Sequence, residues 1–419
     1  MIGPLASLLG RRPHLRRLWF SQIVSLLGDW MSFVAVSLLA LREGGGVVAL
    51  ALVLVGHSLP HALLAPVAGV LADRLDRRRL LVGVSAAEAA LTLVMAVAAA
   101  RGNVLAVQVL VFARACVGAF VPPVQSAAMR RVVEDDELLP ANALLSMTWS
   151  VMYALGMAAG GALATLGPAL ALVVDAASFV LSALLLRGLP PMPAADAGAA
   201  SGGIAGALAA VRRDMAAAWR IALERPSILE ALLAKSPVSF ATGGGWVLLN
   251  LTATRIPFAG SAALTLGVLQ CVRGVGTGVG PAIADVLVRH GVPVGRALRV
   301  AVPTAFAGIA AVAATGSPAA VLVATFAWGM GSGGNWVLSS AELQRLSPEG
   351  YVGRLSAIDN LAWTLGMCSA ALGGAVLVER TAIDATSAWL GVGVGAAAWI
   401  ATRWAVARRR AAAGVIAAL

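Results

Sequence analysis

Apolar runs of about 20 residues recur from Leu18 to Ala405, and each is long enough to cross the roughly 30 Å hydrocarbon layer of a bilayer as a helix. No other feature restricts the fold so strongly, because a backbone in lipid must satisfy its own hydrogen bonds, and only helices or closed barrels can do so. Barrel strands alternate apolar and polar residues, whereas these runs are continuously apolar. Twelve helical spans follow: 18–41, 47–71, 80–100, 104–129, 140–166, 168–188, 227–252, 261–287, 297–316, 318–341, 355–378 and 385–406. The composition agrees, with 59% hydrophobic residues and only 12% charged, against about 25% charged in an ordinary soluble domain.

The net charge of +11 raises the question of a nucleic-acid partner. Its distribution answers it. Of the 31 cations, 24 fall at the amino terminus, in the tail, or in the even-numbered loops and the span ends beside them. Only Arg42, Arg101, Arg255 and Arg380 lie in odd-numbered loops, and Arg114, Lys235 and Arg273 lie inside spans. This is the positive-inside pattern, so the expected location is the cell (inner) membrane, multi-pass, with both termini cytoplasmic. The cations then serve topology and contact with anionic lipid headgroups, and no nucleic-acid partner is expected. Arg11 to Arg17 precede a span too long for the apolar core of a removable signal peptide, so the first helix is expected to act as its own address. Cys116, Cys271 and Cys368 sit singly within spans, which fits neither a disulfide framework nor a metal site.

Residues 189–203, LPPMPAADAGAASGG, separate six spans from six, and the basic amphipathic stretch Val211 to Arg225 that follows suits a membrane surface. The expected domains are therefore 1–188, a cytoplasmic linker 189–226, and 227–419. The halves match at an offset near 214: Phe112-Ala-Arg114 with Phe326-Ala-Trp328, Ser126-Ala with Ser340-Ala, Arg131 with Arg345, and Trp149 with Trp363. The expected fold is all-α and integral to the membrane, with twelve transmembrane helices in two pseudo-symmetric six-helix bundles. Such repeats are the plan of rocker-type secondary transporters, whose site lies between the halves.

The loop between the second and third spans is more specific. Gly69-Val-Leu71-Ala72-Asp73-Arg74-Leu-Asp76-Arg77-Arg78 resembles the signature G-x-L-A-D-R-x-G-R-R of the major facilitator superfamily, with Asp76 where that pattern prefers Gly. The resemblance implies that Gly69, Asp73, Arg74, Arg77 and Arg78 form a cytoplasmic latch to the start of the second half's helices. Arg114 with Gly118 resembles the family's R-x-x-x-G element, and Gly156-Met-Ala-Ala-Gly160-Gly161 partly resembles an exporter signature while lacking its Pro. Leu27-Gly28-Asp29-Trp30, Leu138-Leu-Pro-Ala-Asn-Ala-Leu and Asp175-Ala-Ala-Ser-Phe179 together resemble the drug and siderophore exporter branch, which includes macrolide efflux proteins and the enterobactin exporter.

Asp29, Glu88, Arg114, Asp175, Arg273 and Asp359 lie in or near apolar spans, where insertion of a central Arg or Asp costs about 2.5 to 3.5 kcal/mol. In the family plan Asp29 and Arg114 stand on cavity-lining helices, so the leading expectation is a proton-coupling pair in a central cavity. The alternative is a pair that only staples helices together. Asp175 and Glu88 read as packing or helix-contact residues, and Arg273 and Asp359 could pair across the second half.

Trp149, Tyr153, Asn250, Asn335, Trp336 and Trp363 could line an apolar cavity with a few polar handles, although tryptophans also anchor helices at the membrane interface. Gly274 to Gly280 has no strand before it and no Lys after it, which argues for a flexible helix rather than a phosphate loop. Asn250-Leu-Thr252 has the form of a glycosylation acceptor but lies within a span. No catalytic triad, metal cluster or nucleotide site is evident, so neither enzymatic activity nor a cofactor is expected.

The functional expectation is secondary active transport by a monomer, with a small hydrophobic or amphiphilic compound leaving in exchange for protons. An importer of a small solute, or a non-transporting receptor or scaffold with the same fold, remain alternatives.

Overall fold

The computed structural model describes residues 2–43, 45–193 and 203–418, and among them there is no β-strand. Helices α1 (Ile2–Arg11), α2 (Pro13–Glu43), α3 (Gly46–Arg74), α4 (Arg77–Ala100), α5 (Val104–Gly118), α6 (Val121–Val132), α7 (Leu138–Leu163) and α8 (Pro168–Arg187) carry the first six expected spans. After them come α9 (Gly203–Glu224), α10 (Pro226–Leu233), α11 (Ser236–Arg255), α12 (Ala262–Arg289), α13 (Val294–Ala314), α14 (Pro318–Leu346), α15 (Val352–Thr381) and α16 (Thr386–Ala418). Among the described residues nine segments are long and apolar enough to cross a membrane. The other three expected spans correspond to α10 with α11, to α14 and to α16. The protein is an all-α integral membrane protein.

Two expected spans are each two helices, and proline explains both breaks. Pro122 and Pro123 stand at the start of α6, where missing amide donors and fixed φ suit a first turn but cannot continue α5. Pro237 plays the same part at the start of α11, leaving Ala234 and Lys235 as a non-helical joint after α10. Elsewhere the helix starts are set by side chains. Asn103 Oδ1 accepts from the Ala106 amide at 3.0 Å to open α5, and Asp76 Oδ1 accepts from the Arg79 amide at 2.8 Å to open α4.

The chain forms two compact units, Met1–Gly203 with Ala253–Cys271, and Ile204–Thr252 with Val272–Leu419. In the first, α5 buries Val107, Val111, Arg114 and Gly118 along one stripe while Leu105, Val109 and Phe112 on the opposite face are exposed. In α8, Asp175, Ser178 and Ser182 point inward, and Val173, Val180 and Leu184 point out. Polar groups inside and large apolar groups outside is the arrangement a lipid solvent requires.

Small residues set how closely these helices meet. In α7, a Cβ on Gly156 would lie 2.7 Å from the Trp30 Cβ, and one on Gly160 would lie 2.7 Å from the Met31 carbonyl oxygen and 2.8 Å from its Cα, both on α2. Gly160 meets backbone that cannot swing aside. Gly278 of α12 has nothing within 4 Å of such a Cβ. Thermal unfolding of purified protein in detergent should therefore separate the two sites. Gly160→Val should destabilise by about 1–3 kcal/mol through overpacking. Gly278→Ala should be neutral or stabilise by about 0.5–1 kcal/mol, because a helical Gly is replaced without strain.

Candidate functional site

Arg114 organises the site. Its side chain is 6% exposed, and its guanidinium donates from Nη2 to Asp29 Oδ1 on α2 at 2.6 Å and from Nη1 to Asp175 Oδ2 on α8 at 2.7 Å. One fork thus holds carboxylates from two other helices, the use for which Arg is better suited than Lys. Asp175 also accepts from the Ser32 hydroxyl at 2.6 Å, with the Ser178 hydroxyl at 3.4 Å from its other oxygen. Gly28 makes room for this approach, since a Cβ there would lie 2.6 Å from Asp175 Oδ1. The Phe179 ring lies 5.7 Å from the guanidinium carbon.

The two carboxylates are not equivalent. The Asp29 side chain is 23% exposed, whereas that of Asp175 is 0% exposed and fully enclosed. Asp175 reads from sequence as a packing or helix-contact residue, and the contact it makes is the ion pair with Arg114. The sequence places it on an apolar helix but does not show that the helix turns it toward α5.

His57 and His61 of α3 were overlooked in the sequence, although two of the four histidines stand four residues apart in an apolar span and therefore share a helix face. Both lie within electrostatic reach of Asp29. His57 packs against Trp30 at 5.7 Å and Phe33 at 4.9 Å between ring centroids. A Cβ on Gly118 would lie 2.7 Å from Glu88 Oε1 and 3.2 Å from His61 Nε2. Gly118, one turn beyond Arg114, thus leaves space where buried Glu88 and His61 approach α5.

The aromatic candidates fall into two groups, one in each unit. Trp149 stacks on Tyr153 at 5.6 Å and meets Trp30 edge-on at 5.8 Å, next to Asp29 in sequence. The Tyr153 hydroxyl is 2.9 Å from Gln270 Oε1. In the second unit Trp336 and Trp363 meet edge-on at 5.2 Å. Asn250 and Asn335 are 1% and 0% exposed; Asn250 donates to the Trp246 carbonyl, and the Asn335 amide has no hydrogen-bond partner among the described residues. Asp359 forms its ion pair with Lys235 at the α10–α11 joint. Arg273, the partner the sequence suggested for it, lies with its guanidinium carbon 5.0 Å from the centroid of the Trp328 ring.

At the loop between α3 and α4, Arg77 Nη1 donates to the Pro193 carbonyl at 3.2 Å and Arg78 Nη2 to the Arg187 carbonyl at 2.6 Å. The family resemblance implies a latch between these cations and the second half; the hydrogen bonds seen here are to carbonyls of the first unit, that of Arg78 at the end of α8, which attracts positive charge. Asp76, the departure from the family pattern, both caps α4 and accepts from the Met192 amide at 2.9 Å. Gly69 has no neighbour within 4 Å of a built Cβ, and the side chains of Asp73 and Arg74 lie outside the described residues. Nearby, Arg12 pairs with Glu134 and Glu137. Burial pushes the Glu137 carboxyl up, but the Glu134 amide and the Arg12 guanidinium outweigh it and hold the group below the usual carboxylate range.

Residues 18–371 match the Major Facilitator Superfamily. The chain is 29% identical over 132 residues to YkuC, an uncharacterized MFS-type transporter of Bacillus subtilis, covering 31% of each chain. It is 28% identical over 172 residues to YfiS, another uncharacterized MFS-type transporter of that bacterium, covering 41% of this chain and 40% of the relative. The matched stretches thus span less than half the length of these relatives. Among solved structures, the chain resembles a bacterial homologue of the iron transporter ferroportin in an inward-facing state, with TM-score 0.69 and 17% identity over 93% of this chain and 98% of that one. It also resembles a mutant of the nucleoside transporter NupG, with TM-score 0.72 and 12% identity over the same shares. At these identities the likeness concerns the fold alone.

Two predictions follow from the geometry, both read by thermal unfolding in detergent. Arg114→Met strands two carboxylates beside one another and should cost about 3–5 kcal/mol, the range for breaking a buried ion pair from one side. Asp76→Ala removes a helix cap and should cost about 1 kcal/mol, with Asp76→Asn recovering most of it.

Proposed function

The chain belongs to the Major Facilitator Superfamily, and from that premise we propose that it is a secondary active transporter exporting a small hydrophobic or amphiphilic compound in exchange for protons. The observation that carries this reading is the unequal exposure of the two carboxylates on Arg114, 23% for the Asp29 side chain and 0% for Asp175. A proton arriving at Asp29 releases one arm of the guanidinium, while the other stays anchored by Asp175 and Ser32. The site therefore changes charge without losing its framework, which is what a coupling group requires. His57, His61 and Glu88 stand around the same position and supply further titratable groups close to Asp29 and Gly118.

In this reading bundles 1–188 and 227–419 rock about the linker 189–226, with both termini cytoplasmic and the monomer as the working unit. Trp149, Tyr153, Trp336, Trp363, Asn250 and Asn335 offer aromatic surface and a few amides to an amphiphilic substrate. Gly69, Asp73, Arg74, Arg77 and Arg78 form the cytoplasmic latch, which exchanges the carbonyl partners of Arg77 and Arg78 for groups of the second bundle in the opposite state.

A susceptibility panel in cells producing the protein identifies a transported compound, and vesicles with an imposed pH gradient then test coupling. Asp29→Asn should abolish gradient-driven accumulation of that compound while its counterflow exchange persists at levels within a few-fold of the unaltered protein. Gradient-driven transport by Asp29→Asn equal to that of the unaltered protein would sink the coupling role.

A further inference from the structure

The second unit holds a buried cation surrounded by groups that recognise cations. Lys235, at the joint between α10 and α11, is 3% exposed and paired with Asp359 of α15. Its Nζ lies 4.1 Å from the centroid of the Trp336 ring on α14. Trp363, one turn beyond Asp359 on α15, meets Trp336 at an interplanar angle of 90°. An ammonium over an indole face gains from the negative charge of that face, and an adjacent carboxylate neutralises it. Two perpendicular indoles and a carboxylate make a partial aromatic cage.

Two further observations separate this from a salt bridge that only holds helices together. Asp359 is 4% exposed, yet its Oδ1 has no hydrogen-bond donor among the described residues. A buried acceptor is costly to leave unsatisfied, and this one belongs to the carboxylate whose other oxygen pairs with Lys235. Trp336 is 38% exposed, so the ring that covers the ammonium has an open side. The occupant is also unusual, being the single Lys among 31 cationic residues. Lys carries a compact charge on a flexible stem and can withdraw, whereas the planar fork of Arg tends to stay fixed to its carboxylate.

We infer that Asp359, Trp336 and Trp363 form a binding site for a small organic cation, which Lys235 fills when no ligand is present. The ligand class is a monocation with apolar bulk, such as a quaternary or protonated amine. On entry its charge takes the place of the Lys235 ammonium beside Asp359, and its apolar groups lie against the indoles. The inference rests on the transporter reading only in making this cation the compound carried; the binding itself needs no transport.

The test is equilibrium dialysis of the purified full chain in detergent with radiolabelled tetraphenylphosphonium, beside tetraphenylborate as an anion of the same size and shape. The unaltered protein should prefer the cation. Lys235→Met removes the internal competitor and should tighten cation binding by about tenfold, of the order expected for a desolvated cation–indole contact. The double variant Lys235→Met with Asp359→Asn replaces the ion pair by neutral groups of similar size, leaving no buried charge to unfold the protein, and should lose the preference for the cation. Equal binding of the two probes by the unaltered protein, or no tightening in Lys235→Met, overturns the inference. The measurement uses no proton gradient, so that result leaves proton exchange at Asp29 standing. Undiminished gradient-driven transport by Asp29→Asn, with cation binding intact, would overturn only the reading of Asp29.

Discussion

A guanidinium among apolar helices must be neutralised where it stands, and the first compact unit is arranged around meeting that requirement for Arg114. Two carboxylates reach it from α2 and α8 at 2.6 and 2.7 Å, and glycines stand where a side chain would block the groups that gather there. A Cβ at Gly28 would crowd Asp175, and one at Gly118 would crowd Glu88 and His61. The charge also determines the orientation of its own helix. Once Arg114 faces inward, Val107, Val111 and Gly118 face inward with it, and Leu105, Val109 and Phe112 are left for lipid. The helical period then converts one electrostatic constraint into a complete helix face.

Much of this was legible in the sequence, because a membrane imposes a coarse rule that composition reveals. Span positions follow from apolar run length, and charges within spans are rare enough to identify Asp29 and Arg114 as candidates. The finer features depended on facts that linear spacing does not contain. Pro122-Pro123 and Pro237 lie inside long apolar runs, and an apolar average passes over the helix breaks they impose. Asp175 could be placed on its helix but not rotated toward Arg114, since facing depends on how neighbouring helices pack. The partner of Asp359 is hidden from linear spacing because Lys235 occupies a helix break inside an apolar run. His57 and His61 were readable in principle, being two titratable groups on one face of an apolar helix, and would have been found by treating His like the other ionisable residues.

Asp76 shows how a departure from a family pattern can be read physically. The pattern prefers Gly at a turn, yet Asp76 adopts φ −63° and ψ 118°, a conformation that needs no Gly, and caps α4. Its second oxygen accepts from the Met192 amide. The same side chain thus starts one helix and secures the chain beyond another, so the substitution exchanges backbone freedom for two hydrogen bonds. The start of α4 is consequently fastened to the chain around the end of α8 by Asp76 to an amide and by Arg77 and Arg78 to carbonyls.

The internal repeat makes the electrostatic asymmetry of the two units specific. At the offset of 214, Arg114 corresponds to Trp328 and Gly28 to Thr242. Trp328 is fully buried, with its indole nitrogen 3.4 Å from the Thr242 hydroxyl. Where the first unit has a guanidinium gripping a carboxylate, the second has a neutral donor facing a neutral acceptor. The buried ion pair described above, Lys235 with Asp359, occupies positions that correspond to Ser21 and Leu145. The repeat therefore conveys helical framework from one half to the other but not charge. This division suits a protein whose proposed tasks differ between halves. A proton-exchanging carboxylate works best when partly accessible and tethered to a fixed cation, as Asp29 is. A cation site gains selectivity from aromatic surfaces beside a buried carboxylate, as Trp336 and Asp359 provide. Neither environment could be converted into the other without removing the groups that define it.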